Sequence, residues 1–544
     1  MKNRFTLTTL LALFILYPAT VFSQDEKTVV DKIIEIGKTD NQTMHHLDVL
    51  TNRIGGRPIG SDAYENATNW TASLFKKWGL EVQVIEVGEL PVGFNRGPWF
   101  GKMLSEDGMN LHFATPSYTS GTKGVQRGHV VMEPKTRAEF ERMRGKLKGA
   151  WVLISGKSNG FPIDISEYAD TLRSQVIKEN NLIGRYNDSV TRINRSNPQK
   201  APLPLKEYKD SPALFYKEMR EAGILGIIQS ASVPITALYD RKNLEDMTFE
   251  NLPTCPDIKL DEHQYKIIEQ KVKERQFFLL EFDIRNHFKP GPVKYHNVIG
   301  IIRGSEYPDE YIMSGGHLDA FDVATGGVDC GTGVAPNLEA ARLIMAAGGK
   351  PRRSIAFCLW AGEEFGLLGS KHWVETNMDK LDKISNYFNR DGGPTVANSL
   401  TVPPAMFDQF KIATEDLDKI NPELPFKLNL RTEARPKPAT AGGSDHAYFA
   451  INGVPTISFG TGDPKGYDFN YQEIWHTERD TYNMSIPEYM DHTSVVMAVV
   501  YYKLANMNTL LSRKDLYLEP NKTIKNEEVK KSKREVPEKR KERK

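Results

Sequence analysis

The residues best equipped for chemistry lie in the second half of the chain. His317 follows the apolar run YIMSGG, and Asp319 stands two positions on. Asp329 comes twelve positions after His317, in GGVDCGTG. Glu363 and Glu364 end the run SIAFCLWAG, Asp391 follows NYFN, and His476 lies in WHTERDT. Carboxylates converging in one cleft would repel one another, and a bound divalent cation removes that penalty. Two imidazoles together with carboxylates suit Zn²⁺. In the His317-Leu318-Asp319 pair the Asp319 carboxylate can accept the second ring N–H, which fixes tautomer and orientation. A carboxylate such as Asp329 can bridge two metals, one oxygen to each. Adjacent glutamates do not readily point the same way. One can ligate while the other faces the substrate water as general base. A single HxD or EE pair is an ordinary surface feature, whereas five candidate ligands on five loops of one block read as a metal site.

Those loops need a sheet to aim them. From about residue 295 to 508, candidate strands (NVIGIIRG, YIMSGG, SIAFCLWAG, ISNYFN, VPTISFG) alternate with candidate helices at 338–347, 366–375, 444–451 and 486–504. This alternation predicts an α/β fold with helices on the faces of a mixed, mostly parallel sheet. Ligands in such sheets bind beyond the carboxyl ends of strands, where the candidate residues fall. Ser444 is a candidate N-cap for the helix that begins there. Upstream, residues 25–79 read as amphipathic helices broken by IGGRPIGS, and LEVQVIEV alternates as a strand. Residues 117–293 form a second block, with strands expected at VVM, AWVLISG and GILGIIQS and a helix at 215–222. Its polar stretch, 157–210, reads as an insertion or lid-like loop.

Composition bounds the rest. At about 150 residues per domain, 544 residues amount to three or four domain equivalents. Apolar residues at 39% and charged residues at 26% are ordinary for a globular chain. Lys+Arg 71 against Asp+Glu 70 leaves a net charge of +1, so no nucleic-acid partner is expected. Three cysteines, Cys255, Cys330 and Cys358, exclude a disulfide framework and a four-cysteine zinc site. Lys2, Arg4, the apolar run 5–17 and the exit VFS make residues 1–23 a signal peptide, and no later run suits stable membrane insertion. An exported protein, periplasmic or secreted, is expected. Residues 513–544 end in a Lys/Arg-dense tail too poor in apolar residues to order itself.

The motifs GGHLDA, VDCGTGVA, AGEEFGLLGS, SDHAYF, GVPTISF and WHTERDT, in this order, resemble the signature of the co-catalytic zinc exopeptidases, the family of aminopeptidase Y, carboxypeptidase Q and glutamate carboxypeptidase. RPIGSDAYENATNW resembles the segment that opens such enzymes. KLKGAWVLISG and EAGILGIIQSA resemble a protease-associated domain. The resemblance implies a zinc exopeptidase-like α/β fold in two pieces, 24–116 and 294–512, with a smaller β-rich protease-associated domain inserted at 117–293. It implies two Zn²⁺ per chain: His317 and Glu364 on opposite metals, Asp329 bridging, Asp391 and His476 completing the shells. Glu363 would be the general base, with Asp319 orienting His317. The substrate would be a peptide trimmed near one terminus, with the direction open. Arg390 and the run RTEARPK are candidate cations for a substrate carboxylate. Tyr467, Tyr471 and His446 are candidate oxyanion donors. Cys330 stands where the family often has Asn, either as a soft donor beside the metals or as a small packed residue. Two other functions fit the same scaffold: a single-zinc acyltransferase of the glutaminyl cyclase type, and a non-catalytic binding protein.

Overall fold

The computed structural model describes residues 26–518, apart from 240, 242, 243, 245 and 246. The expected signal peptide and the basic tail from 519 onward lie outside the described residues. Among the described residues, no helix is long and apolar enough to cross a membrane.

One five-stranded sheet carries the candidate ligands. Its order is Glu81–Asn95, His287–Ile302, Arg353–Trp360, Tyr307–His317, Ile384–Asn389. The first three strands pair antiparallel, and the last three pair parallel, so the sheet is mixed. Arg353–Trp360 is buried along its whole length, as a strand covered on both faces must be. Helices Gly331–Ala346 and Pro487–Ala505 pack against this core and are buried nearly all round, with Pro487 at the first helical position.

The candidate strand VPTISFG forms no continuous ladder. Only Gly460 joins a short strand, Gly460–Gly462. Instead the Asn386 side chain clamps Ile457, donating to its carbonyl and accepting from its N–H at 2.9 Å each. A side-chain amide thus takes the place of a neighbouring strand, which satisfies the buried backbone without sheet geometry.

A second sheet has seven strands and begins at Trp99, ahead of residue 117. Along Ala150–Lys157, Trp151 and Leu153 enter one core and Val152 and Ile154 the other, so alternate residues build both faces. The stretch expected as a lid-like loop is largely a 30-residue helix, Glu167–Ser196, capped by Ser166. Its packing partner explains the misreading. Asn180, Asn187 and Asn194, seven residues apart, each grip one extended residue through both amide atoms: Lys209, Lys206 and Leu203, at 2.8–3.0 Å. Seven helical residues rise about 10.5 Å, and three extended residues span nearly the same length. The helix therefore binds a backbone as well as an apolar surface, and apolar periodicity does not show it.

The loop before Asp329 is fixed by Arg57. This buried guanidinium donates to the carbonyls of Gly55, Leu318, Thr325 and Gly326. Replacement leaves buried carbonyls without donors, so Arg57→Met should lower the unfolding free energy by roughly 3 kcal/mol in denaturant titration. Asn187→Ala should instead be local. It should speed amide exchange at Lys206 and cost only about 1 kcal/mol globally.

Candidate metal centre

His317 ends the parallel strand Tyr307–His317, and pairing with Trp360 fixes its backbone. The ring lies 1% exposed. Its Nε2 is 3.1 Å from Asp329 Oδ1 and 3.6 Å from Asp391 Oδ1. Its Nδ1 faces the Asp319 backbone carbonyl at 2.9 Å. The expected carboxylate partner is farther, at 3.8 Å. The Asp319 carboxylate accepts the backbone N–H groups of Glu363 and Glu364, at 3.1 and 3.3 Å. It thus braces the turn that presents both glutamates.

Asp329 sits just before helix Gly331–Ala346. Its second oxygen, Oδ2, is 3.3 Å from His476 Nε2, and that nitrogen is 3.1 Å from Glu364 Oε2. The two Asp329 oxygens therefore face different histidines, each flanked by a further carboxylate. Burial alone would raise the Asp329 pKa, but bonds to His317 and His476 hold it well below the usual carboxylate range. His476 responds in the opposite sense: burial lowers its pKa, and Asp329 and Glu364 push it up to about 10. His476 takes a left-handed backbone, φ 60°, on a loop between Trp475, stacked at 4.0 Å, and Phe321, edge-on at 4.8 Å.

Asp391 follows strand Ile384–Asn389 and accepts a 2.6 Å bond from the Ser444 hydroxyl. Ser444 is therefore not a helix cap, and the helix begins after Asp445 without a side-chain cap. Burial, Glu364, Asp445 and Asp391 push Glu363 up to about 10, against the opposing pull of His317. Burial and Asp329 push Glu364 up to about 7, and its buried Oε1 lacks a hydrogen-bond partner. An excess of buried anionic groups around two imidazoles is a donor set suited to divalent cations. Two ligand groups lie within reach of one ion: His317, Asp329 and Glu364, and His317, Cys330 and Asp391.

Cys330 is fully buried, and its thiol donates to the Arg390 carbonyl at 3.3 Å. Burial pushes its pKa up to about 12. A cleft of about 800 Å³ is lined by Asp329, Glu363, Glu364, Asp391, Tyr471 and His476. Of the candidate oxyanion donors, Tyr471 and His446 line this cleft. Tyr467 bonds Glu488 outside it. Arg390 is buried and donates to the Gly393 and Thr395 carbonyls, whereas Arg435 of the RTEARPK run reaches the cleft. His46 is buried against Glu339 at 3.2 Å, away from this cleft, and His45 is exposed.

Sequence reading missed Asp480. Its buried carboxylate accepts the N–H groups of Val328 and Asp329, which sets the backbone that presents the Asp329 carboxylate. It stands in WHTERDT, but nothing in that string separates a ligand from a brace. The chain also contains a G-x-S-x-G string, Gly156–Gly160. It is no nucleophile elbow: strand Ala150–Lys157 leads into a loop, and Ser158 Oγ accepts the Gly160 N–H at 3.0 Å.

Residues 297–501 match the model of peptidase family M28. The chain is 29% identical to carboxypeptidase Q of Rattus norvegicus over 498 residues, covering 90% of this chain and 91% of that protein. It is 34% identical to a glutamate carboxypeptidase 2 homolog of Caenorhabditis briggsae over 212 residues, covering 35% of this chain and 26% of that one. Its fold is similar to the crystal structure of a peptidase M28 precursor from Shewanella amazonensis SB2B. The TM-score is 0.53 at 19% identity, covering 90% of this chain and 98% of that one. Histidines and carboxylates gathered at the strand ends of this domain, together with these relatives, support a zinc metallopeptidase with a peptidase family M28 domain at residues 297–501.

Proposed function

We propose that the protein is an exported di-zinc exopeptidase that hydrolyses the peptide bond next to one terminus of short peptides, with Glu363 as general base. The observation that carries this reading is the Asp329 carboxylate, whose two oxygens face His317 and His476 separately. His317 and Asp391 would hold one ion, Glu364 and His476 the other, and Asp329 both. Bound zinc would polarise the scissile carbonyl and lower the pKa of the attacking water.

The chain's own residues supply the rest. Asp319 fixes the backbone of Glu363 and Glu364, so that Glu364 meets His476 while Glu363 lines the cleft. From there Glu363 can take the proton of the attacking water and return it to the leaving amine. Tyr471 or His446, both of which line the cleft, would donate to the carbonyl oxygen as charge develops there. The second sheet, which contains both KLKGAWVLISG and GILGIIQS as strands, is read as the protease-associated domain. A single-zinc cyclase would leave one histidine–carboxylate pair without a task, and a binding protein would need neither glutamate. Export rests on the sequence of residues 1–23.

Glu363→Gln should retain bound zinc and lose roughly 10²- to 10⁴-fold in kcat on a good substrate. Metal analysis beside kinetics checks both halves, and full activity in this variant would remove the general base. Chelation should abolish cleavage of a panel of aminoacyl-anilides, free dipeptides and peptides ending in glutamate. Added zinc should restore it. Elemental analysis should give two zinc ions in the wild type and one in His476→Ala. Equal zinc in both proteins would contradict the two-ion arrangement.

A further inference from the structure

A second cavity, of about 770 Å³, adjoins the catalytic cleft and shares Glu364, Trp475 and His476 with it. Its character is different. Phe161, Leu238, Tyr239, Phe321 and Trp475 line it. Phe161 is 45% exposed and Trp475 44% exposed, unusual for large apolar rings beside a charged centre. Trp475 comes from the loop that carries His476, and Phe161 from the loop that leaves the second sheet after strand Ala150–Lys157.

The position of Phe161 is fixed relative to the metal ligands. The Leu238 N–H donates to the Gly160 carbonyl at 2.9 Å, tying the Phe161 loop to segment 235–239. That segment is anchored at both ligand loops. Tyr239 donates its hydroxyl to the Glu364 carbonyl at 2.7 Å and stacks on Phe365 at 3.6 Å. Ile235 exchanges two bonds with Glu478, at 2.9 and 3.0 Å, and Thr236 pairs with Thr477 beside His476. The apolar wall therefore holds a set distance from Glu364 and His476, as a side-chain subsite requires.

We propose that this cavity receives an apolar side chain of the substrate residue on one side of the scissile bond, and that Phe161, on the loop leaving the second sheet, is a specificity-determining residue. The proposal rests on the peptidase reading above. The main cleft has Ile457 and Phe459 in its lining but presents more polar surface, from Asn389, Asp391, Arg435 and Ser444, so a large apolar side chain gains more by burial in the second cavity. Catalysis does not use Phe161, so its loss should change substrate preference rather than turnover of small substrates.

The test is kcat/KM for two series of unblocked dipeptides, X-Gly and Gly-X, with X being Ala, Leu, Phe or Asp. In one series only, the wild type should favour Leu and Phe over Ala and Asp. Phe161→Ser should reduce the Leu-to-Ala ratio in that series by roughly ten-fold, the scale of a lost apolar contact in a pocket. It should leave the Ala substrate unchanged, and Phe161→Leu should keep most of the preference. Unchanged ratios in both series would overturn the subsite and leave the peptidase intact, as would a parallel fall on every substrate. A zinc-loaded wild type that cleaves none of the dipeptides would overturn the peptidase reading and the subsite with it.

Discussion

A buried carboxylate placed between two imidazoles is the constraint from which the rest of the site follows. Asp329 is almost wholly out of water, and a buried charge is tolerated only when its partners are held in good geometry. Each partner has its own support. His317 is fixed by strand pairing with Trp360, and His476 by packing between two aromatic rings. The Asp329 backbone is fixed by Asp480, and the loop before it by Arg57. Around this centre Glu363, Glu364 and Asp391 add more negative charge than two imidazoles can balance. Burial then lifts the pKa of both glutamates. Divalent cations would relieve that excess, and in the proposed reading they would activate the hydrolytic water there.

Support is distributed unequally over the two halves of the centre. His317 and Asp391 leave adjacent parallel strands of the five-stranded sheet, the most regular part of the molecule. Glu364 and His476 stand on a turn and a loop, and both lean on residues 235–239, on the connection that follows strand Gly226–Ala231 of the second sheet. A connection of the second sheet thus braces one half of the candidate metal centre. Motion of that sheet against the peptidase domain would move the ligand set on one side only.

Two departures from the sequence expectation share a feature. Asparagine side chains that mimic a backbone partner are involved in both: those of helix Glu167–Ser196 hold the extended residues 203–209, and Asn386 holds the segment around Ile457. The helix is amphipathic but poor in apolar residues overall, so its Asn-, Arg- and Lys-rich sequence reads as a loop, whereas the apolar run VPTISFG reads as a strand although a side chain meets its backbone. The opposite holds for Tyr307–His317, Arg353–Trp360 and Pro487–Ala505. Each is buried by apolar contact, so each is legible as a run of apolar residues.

The sequence by itself determined the α/β class, the strands that end at His317, Glu363 and Asp391, and the residue types that call for a divalent metal. These follow from local patterns: apolar runs that must be buried, and acids and histidines placed where such runs stop. Tertiary structure alone decided which oxygen of Asp329 meets which histidine. It showed that Asp319 grips the glutamate turn through two N–H groups, and that Asp480 and Arg57 hold the bridging loop. It removed Tyr467 and Arg390 from the cleft and brought Phe161 into the wall of the adjoining cavity. Each of these depends on contacts between residues far apart in the chain, at distances of a few ångströms. Spacing along a sequence carries no record of them.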